Sequence, residues 1–261
     1  MIRSSQNPRI KLVRELLSSR RAREEKASFI VEGVRLTEEV LNHNWLIQFA
    51  LWSADLSEVG KNIVHRLQDH GIPCEEIPTD LLQKVSDTTT SQGILLVVRR
   101  KDLSLPFPLD LLLVLDGVRD PGNFGTLLRS AAAFGAQAVC LSDDTVDAFS
   151  PKVLRSGMGA HFYLPIIQKP ILAIGHFCHA EIKPPLMIYS AEMQTGDLCW
   201  KLDLRKPVAL IIGGETAGTS HEVNQIVDGK IRIPMPGGSE SLNAAVAGSI
   251  LLYEVMRQRQ K

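Results

Sequence analysis

The 261-residue sequence contains only four cysteines, Cys74, Cys140, Cys178 and Cys199, and none of them forms a C-x-x-C pair. Widely spaced cysteines are typical of free thiols in a reducing compartment, so we expect no disulfides, no metal site and a cytoplasmic location. No apolar run approaches the ~18 residues of a membrane-spanning helix, so we predict none. The N-terminus also lacks the unbroken apolar segment of a secretory signal, so none is expected.

The sequence also lacks an excess of either charge, since 29 lysines and arginines balance 29 aspartates and glutamates. A hydrophobic fraction of 44% and a charged fraction of 22% are typical of a globular protein and exclude a disordered chain. The charge is not spread evenly, because residues 1–26 contain eight basic side chains and only three glutamates. Such a stretch is compatible with a solvated helix face or with contacts to the phosphates of a nucleic acid.

Two prolines interrupt the apolar pattern at Lys101–Pro108, where we predict a linker. Residues 1–100 begin with a helical pattern over Pro8–Arg23 and then alternate strand and helix patterns, which predicts a small α/β domain. In residues 109–261 the apolar runs are short and end at turn residues, as in the buried strands of a largely parallel sheet. We predict strands at Leu111–Leu115, Ala138–Leu141, Leu186–Tyr189, Val208–Ile212 and Lys230–Ile233, and a last helix over Ser241–Arg257.

Three loops stand out because each follows a predicted strand and combines glycine with polar side chains. In open α/β sheets, ligands bind at the carboxyl ends of the strands. The first loop contains Asp120-Pro121-Gly122 and then Asn123, which we expect to cap the following helix. The second contains Gly213-Gly214-Glu215, and the third leads to Ser241 and Asn243 in the expected first turn of the last helix. Taken singly, each loop is also compatible with a tight turn, a cap or an exposed side chain.

Together, the three loops resemble the ordered motifs of the SpoU family, a branch of the SPOUT superfamily. The matching residues are Asn123-x-Gly125-x-x-x-Arg129-x-Ala131, Ile212-Gly213-Gly214-Glu215-x-x-Gly218, and Ile233-Pro234-Met235 followed by Ser241-Leu242-Asn243. The resemblance covers roughly Leu111–Arg257. Residues 1–100, with the segments NPRIKLVRELL and FIVEGVRLTEEVL, are similar to the small ribosomal-protein-like α/β domain with which many members hold RNA.

The resemblance implies an S-adenosylmethionine-dependent RNA ribose 2′-O-methyltransferase that forms a homodimer. It implies an α/β fold in which the larger, C-terminal domain is tied in a trefoil knot. The cofactor is then expected at Gly213, Gly214, Ile233, Met235, Leu242 and Asn243. The polar active-site positions of the family correspond to Asn123, Arg129, Glu215, Ser241 and Asn243. Ribosomal RNA is the favoured substrate, and transfer RNA is the alternative.

An RNA substrate changes the interpretation of the basic N-terminal stretch. We expect Arg9, Lys11, Arg20, Arg21 and Arg23 to contact phosphates.

Arg129 is the residue with which the family activates the 2′-hydroxyl. Because a guanidinium stays protonated, with a pKa above ~12, we favour a clamp on the neighbouring phosphate or the developing alkoxide over a role as base. Two other functions stay open: a SPOUT enzyme that methylates a base, and a catalytically silent RNA-binding or ribosome-assembly protein of the same fold.

Overall fold

The structure is a computed structural model, and it describes residues 2–88, 90–215, 218–238 and 240–260. The chain divides into two compact units. Unit 1 is the chain up to Lys101 together with Asp147–Phe162. Unit 2 is Asp102–Val146 together with the chain from Tyr163 onward.

The helices and strands follow one another closely in both units. In chain order they are α1 (Pro8–Ser18), α2 (Arg20–Glu25), β1 (Ser28–Glu32), α3 (Val34–Asn42), β2 (Ile47–Trp52), α4 (Glu58–Asp69), β3 (Cys74–Glu76), α5 (Thr79–Val85), β4 (Ile94–Arg99), β5 (Leu111–Asp116), α6 (Pro121–Ala133), β6 (Ala138–Leu141), α7 (Pro151–Gly157), β7 (Ile166–Gln168), α8 (Ile171–His176), β8 (Met187–Ala191), β9 (Asp197–Leu198), β10 (Val208–Gly213), β11 (Gly229–Arg232) and α9 (Ala244–Arg259). Short 3₁₀ turns lie at Ala160–Phe162, Cys199–Lys201 and His221–Gln225, and a π turn at Phe177–Glu181.

Unit 1 is built on a four-stranded sheet with the order β1-β4-β2-β3. Strand β4 pairs antiparallel with both β1 and β2, and β3 pairs parallel with β2. Apolar residues of α1 and α5 pack on one face of this sheet, and β4 is buried along nearly its whole length. Burying these side chains is the main favourable contribution to folding of this unit.

Unit 1 also contains Asp147–Phe162, which we had expected within the second domain. The reason is an aromatic cluster: Phe149 packs on Phe29 with ring centroids 4.8 Å apart, and the Trp45 indole Nε1 donates to the Phe162 carbonyl oxygen at 2.9 Å. Segments that are distant in sequence therefore share one core in this unit.

Unit 2 is built on a parallel sheet, as the apolar runs predict. Within the described residues it has seven strands in the order β7-β6-β5-β10-β8-β11-β9, and every pairing is parallel. Helices α6 and α9 pack against each other, and α9 also packs on β10. A Cβ on Gly248 of α9 would lie 2.3 Å from a methyl carbon of Leu127 in α6, so the missing side chain lets the two helices approach closely. The predicted α/β class is confirmed.

The largest differences from the predicted elements lie at the first helix, the edge strands and the last helix. The expected helix Pro8–Arg23 is broken at Ser19, whose extended backbone ends α1 and whose hydroxyl accepts from the Ala22 N–H to cap α2. The edge strands β7 and β9 have only three and two residues, too short for an apolar run to reveal them. The last helix begins at Ala244 and not at Ser241.

Candidate active site

The three motif loops of unit 2 follow neighbouring or nearby strands of the parallel sheet. The first follows β5, the second follows β10, and the third follows β11. Strands β5 and β10 pair directly, with Gly213 opposite Asp116 at their carboxyl ends. Parallel strands present their carboxyl ends at one edge of the sheet, so the three loops converge there.

Asn123 lies in the first turn of α6, but it does not cap that helix as we had expected. The N-cap is Asp120, whose carboxylate Oδ1 accepts from the Asn123 N–H at 2.8 Å. Pro121, with no N–H, occupies the first helical position. Because Asp120 caps the helix, the Asn123 side chain is available for other contacts.

A chain of hydrogen bonds through Asn123 joins residues of all three loops. Its amide Nδ2 donates to Glu215 Oε1 at 2.7 Å, and its Oδ1 accepts from Asn243 Nδ2 at 2.9 Å. Asn243 is in turn the N-cap of α9, where its Oδ1 accepts from the N–H groups of Ala245 at 2.9 Å and Val246 at 3.3 Å. The structure thus brings Asn123, Glu215 and Asn243 together as one polar group.

Beside this group is a cavity of about 480 Å³. Of the residues expected to hold a cofactor, five line it, namely Gly213, Gly214, Ile233, Met235 and Leu242. Glu215 and Ser241 also line it, whereas Asn243 lies between the lining residues Leu242 and Ala244. The late start of α9 leaves Ser241 and Leu242 in the loop that borders the cavity.

Gly213 and Gly214 are required by packing as well as by the cavity. A Cβ on Gly213 would lie 2.2 Å from the carbonyl carbon of Gly218, and one on Gly214 would lie 2.3 Å from the carbonyl oxygen of Gly117. Both are contacts with backbone, which cannot move aside cheaply. The cofactor is expected at these two glycines, and their lack of a side chain also lets two other segments of the chain approach.

Five further polar or sulfur-containing residues line the cavity that motif reasoning missed: Glu192, Met193, Thr219, Asn224 and Lys230. Glu192 and Met193 follow the end of β8, a strand for which no motif loop was identified. Because ligands bind at the carboxyl ends of strands in open α/β sheets, the end of β8 is the sequence signal that predicts this position.

Arg129 is not brought into the polar group. It is exposed on α6, and within the part of the chain that the structure describes its side chain makes no hydrogen bond or ion pair. Its guanidinium is therefore available to a ligand, and its predicted catalytic role is not explained by contacts inside one chain.

The basic side chains near the N-terminus have different surroundings in unit 1. Arg9 pairs with Glu75 at 3.0 Å, while Arg20 and Arg21 make exposed pairs one helical turn away, with Glu24 at 2.8 Å and Glu25 at 2.6 Å. Lys11 is exposed.

Arg23 requires a correction. It is only 7% exposed, its Nε donates to Asp147 Oδ2 at 2.7 Å, and its Nη1 donates to the carbonyl oxygens of Leu16 and Leu17. A buried guanidinium that donates to a carboxylate and to two carbonyl oxygens holds the fold together and does not reach a phosphate. The expected RNA contact of Arg23 is therefore wrong.

The four cysteines are free thiols, as predicted, and three of them are buried. Burial raises the pKa of both Cys140 and Cys178 to about 12 and that of Cys74 to about 11, so these thiols stay protonated near neutral pH. Among the described residues, no group of three or more His, Cys, Asp or Glu side chains is arranged to hold a metal ion. Over the same residues, no helix is both long and apolar enough to cross a membrane.

Two family models match the sequence. The model of the SpoU rRNA Methylase family matches residues 110–253, and that of the MRM3-like substrate binding domain matches residues 7–96. The first of these contains all three motif loops and the cavity.

Named relatives match over almost the whole chain. The 23S rRNA (guanosine(2553)-2′-O)-methyltransferase RlmP of Bacillus subtilis is 32% identical over 254 residues, which cover 97% of this chain and 98% of the relative. Human mitochondrial rRNA methyltransferase 3 is 31% identical and covers 96% of this chain and 72% of its own length.

Solved structures of methyltransferases also superpose on almost the whole chain. An rRNA methyltransferase from Sinorhizobium meliloti superposes with a TM-score of 0.87 at 26% identity, covering 100% of this chain and 98% of the other. The SpoU methyltransferase AviRb from Streptomyces viridochromogenes, in complex with the cofactor AdoMet, superposes with a TM-score of 0.85 at 29% identity, covering 97% and 99%.

Proposed function

This chain belongs to the SpoU rRNA methylase family, and on that basis we propose that it transfers a methyl group from S-adenosylmethionine to a ribose 2′-hydroxyl of ribosomal RNA. The observation that carries the proposal is the hydrogen-bonded group of Asn123, Glu215 and Asn243 beside the cavity. Three separate loops contribute to it, and each contributes the side chain expected of the family.

The cavity suits S-adenosylmethionine in size and lining. Its volume of about 480 Å³ is within the range of roughly 300–1,000 Å³ usual for small-molecule sites. Ile212, Ile233 and Leu242 offer apolar surface for a flat base, and Glu192 and Glu215 offer carboxylate oxygens for hydroxyl or cationic groups. When bound, this cofactor supplies a methyl group that its positive charge makes ready for displacement.

The reaction then depends on how the protein places and stabilises the attacking 2′-hydroxyl. Aligning two reacting groups can contribute up to about 7–11 kcal/mol to lowering the barrier. We assign this positioning to Asn123 and Asn243, whose side-chain amides are hydrogen-bonded to each other. Glu215 also holds the amide of Asn123, and the cap of α9 holds that of Asn243. Ser241, at the border of the cavity, belongs to the same site.

We assign Arg129 the task of holding the phosphate next to the target ribose or the developing alkoxide. A protonated guanidinium offers two parallel N–H donors in a plane and is a poor base. Its exposure on α6, with no ion pair in the described chain, supports a ligand-binding role.

The experiment compares wild type with Arg129→Lys, using labelled S-adenosylmethionine and unmodified ribosomal and transfer RNA in parallel. We expect label in ribosomal RNA, and a rate at least roughly tenfold lower for Arg129→Lys, because lysine cannot form the paired contact. Arg205→Lys, which changes an exposed arginine of the same unit, is the control and should match wild type. Full activity in Arg129→Lys would reject the clamp; label in transfer RNA alone would reject the ribosomal substrate.

The basic residues left for RNA are Arg9, Lys11, Arg20 and Arg21 of unit 1. They belong to the region that matches the MRM3-like substrate binding domain, and exposed side chains can exchange weak ion pairs for phosphates. If they contact RNA, the dissociation constant of the complex should rise steeply with salt, and Lys11→Ala should reduce that slope by about one. A slope that salt titration finds unchanged in the variant would reject the contact.

We further propose a cytoplasmic homodimer. The dimer is supported by an exposed apolar surface on unit 2. Val246, Ile250 and Tyr253, one turn apart on α9, form this surface together with Phe134. These side chains are 37–48% exposed on α9, and a stripe of this kind on a helix is typical of an interface.

A further inference from the structure

Glu192 lines the cavity at the end of β8, a strand that none of the three motif loops follows. It follows β8 directly, and its backbone N–H donates to the Ile231 carbonyl oxygen at 2.9 Å, which fixes it between β8 and β11. Its side chain is 27% exposed, and it lines the cavity together with Thr219 and Lys230. The position is therefore both fixed and accessible to a bound molecule.

The two carboxylate oxygens of Glu192 have different partners. Oε1 lies 3.9 Å from Lys230 Nζ and 3.4–3.5 Å from the hydroxyls of Ser190 and Thr219, all of them long contacts. Oε2 has no partner within the described part of the chain. A carboxylate has about four acceptor sites, so Glu192 retains capacity for hydrogen-bond donors that arrive with a ligand.

We propose that Glu192 accepts hydrogen bonds from the 2′- and 3′-hydroxyls of the adenosyl ribose of S-adenosylmethionine. This inference rests on the proposed function, since it takes that cofactor as the occupant of the cavity. The ribose presents two neighbouring O–H donors, and an acceptor-only carboxylate is the side chain that binds such a pair best. Glutamate and aspartate near strand ends recognise ribose in the same way in dinucleotide-binding folds.

The charge next to Glu192 favours the ribose over the other donor of this cofactor, the ammonium of its methionine part. Lys230 already lies beside the carboxylate and offsets its charge. A second ammonium at the same carboxylate would lie close to the Lys230 ammonium, and like charges at that distance repel. The neutral hydroxyls add no charge, so Glu192 can keep its contact with Lys230.

Calorimetric binding of S-adenosylhomocysteine and of its 2′,3′-dideoxyribose analogue tests the assignment without any methyl transfer. We expect Glu192→Gln and Glu192→Ala to bind the parent compound roughly 10- to 100-fold more weakly than wild type, as for a lost hydrogen bond to a charged group. The dideoxy analogue should bind wild type and both variants equally. Glu222→Gln removes an exposed carboxylate of the same unit outside the cavity and should behave as wild type.

Other outcomes separate the failures. An equal loss of affinity for both compounds that also persists with an analogue lacking the amino group would show that Glu192 only supports the fold, and would overturn the assignment. A loss that persists with the dideoxy analogue but vanishes with an analogue lacking the amino group would assign Glu192 to the ammonium instead. If wild type bound neither compound, the proposed function itself would fail.

Discussion

Asn243 has two separable functions at the junction of the three loops: its Oδ1 caps α9, and its Nδ2 donates to Asn123. Aspartate caps a helix as well as asparagine but cannot donate. We therefore predict that Asn243→Asp keeps near wild-type stability and slows methyl transfer at least roughly tenfold, whereas Asn243→Ala also lowers the free energy of unfolding by about 1 kcal/mol. Urea unfolding and the transfer rate measure the two effects. Wild-type activity in Asn243→Asp would show that the link is dispensable.

His161 gives unit 1 a defined sensitivity to acid. It is fully buried against the Ala148 carbonyl oxygen, and burial lowers its pKa to about 4 from the ordinary 6.5. Between these values the unfolded chain binds the extra proton, so the contribution to stability is complete above pH 6.5 and is lost as the pH falls towards 4. We predict that this residue alone lowers the free energy of unfolding by about 2 kcal/mol between pH 7 and pH 5.

The comparison that isolates His161 is urea unfolding of wild type and His161→Gln at both pH values. The difference in stability between the two proteins should change by the stated amount. A difference that is the same at pH 7 and pH 5 would contradict the lowered pKa.

At the residue scale, the sequence predicted which side chains form the site but not how they are joined. Glu215 and Asn243 were selected by their motifs, yet they meet Asn123 across 92 and 120 residues of chain, a relation that no local pattern contains. Asn123 was given the role of a cap that Asp120 holds. Both side chains are good caps, and only the backbone geometry at the start of α6 distinguishes them.

At the scale of elements, Arg23 ties α2 to the segment that begins at Asp147. Both side chains of this pair are nearly buried, at 9% and 15% exposure. Removing one partner from a buried pair leaves the other charge without compensation, which costs about 3–5 kcal/mol. We predict a loss of that size in Asp147→Ala, measured by urea unfolding.

The matched control is Glu24→Ala, which breaks the exposed pair between Arg20 and Glu24 on the same short helix. An exposed pair one turn apart contributes about 0.3–0.5 kcal/mol. If the two substitutions lowered stability equally, the account of Arg23 as a structural residue would be wrong.

The bounds of strands that contain long apolar runs were predicted closely, whereas the short edge strands were not predicted. The central strands β5, β6 and β10 agree with the apolar runs to within one residue, because a strand buried on both faces has no polar interruption. The edge strands β7 and β9 have no such run. The break at Ser19 was not predicted because the amphipathic pattern continues through it. The start of α2 depends on a single hydroxyl, that of Ser19, which caps the helix.

At the scale of the whole molecule, the exposed apolar surface on α9 predicts self-association. Ile250 lies in the middle of it, so Ile250→Glu should convert a dimer into a monomer by placing a charge in the interface. Leu172→Glu alters an exposed leucine on α8 and should leave the mass unchanged. Light scattering gives the mass directly; a monomeric wild type would reject the dimer.

The knot is the feature of the whole molecule furthest from any sequence pattern. Composition and periodicity describe segments, whereas a knot depends on the order in which segments pass one another. Segments of unit 2 pass close to one another, since a Cβ on Gly214 would lie 2.3 Å from the Gly117 carbonyl oxygen and the Ser220 N–H donates to the buried Asp116 carboxylate at 2.6 Å. The trefoil path itself stays a prediction of the family resemblance.

The central claim, methylation of a ribose hydroxyl, is tested most directly by alkaline digestion of RNA labelled by the protein. Alkali cuts RNA only where the 2′-hydroxyl is free. Unmodified ribosomal RNA, incubated with the purified protein and labelled S-adenosylmethionine, should therefore yield its label in alkali-resistant dinucleotides. Label released in mononucleotides would mean that a base had been methylated, and would contradict the account.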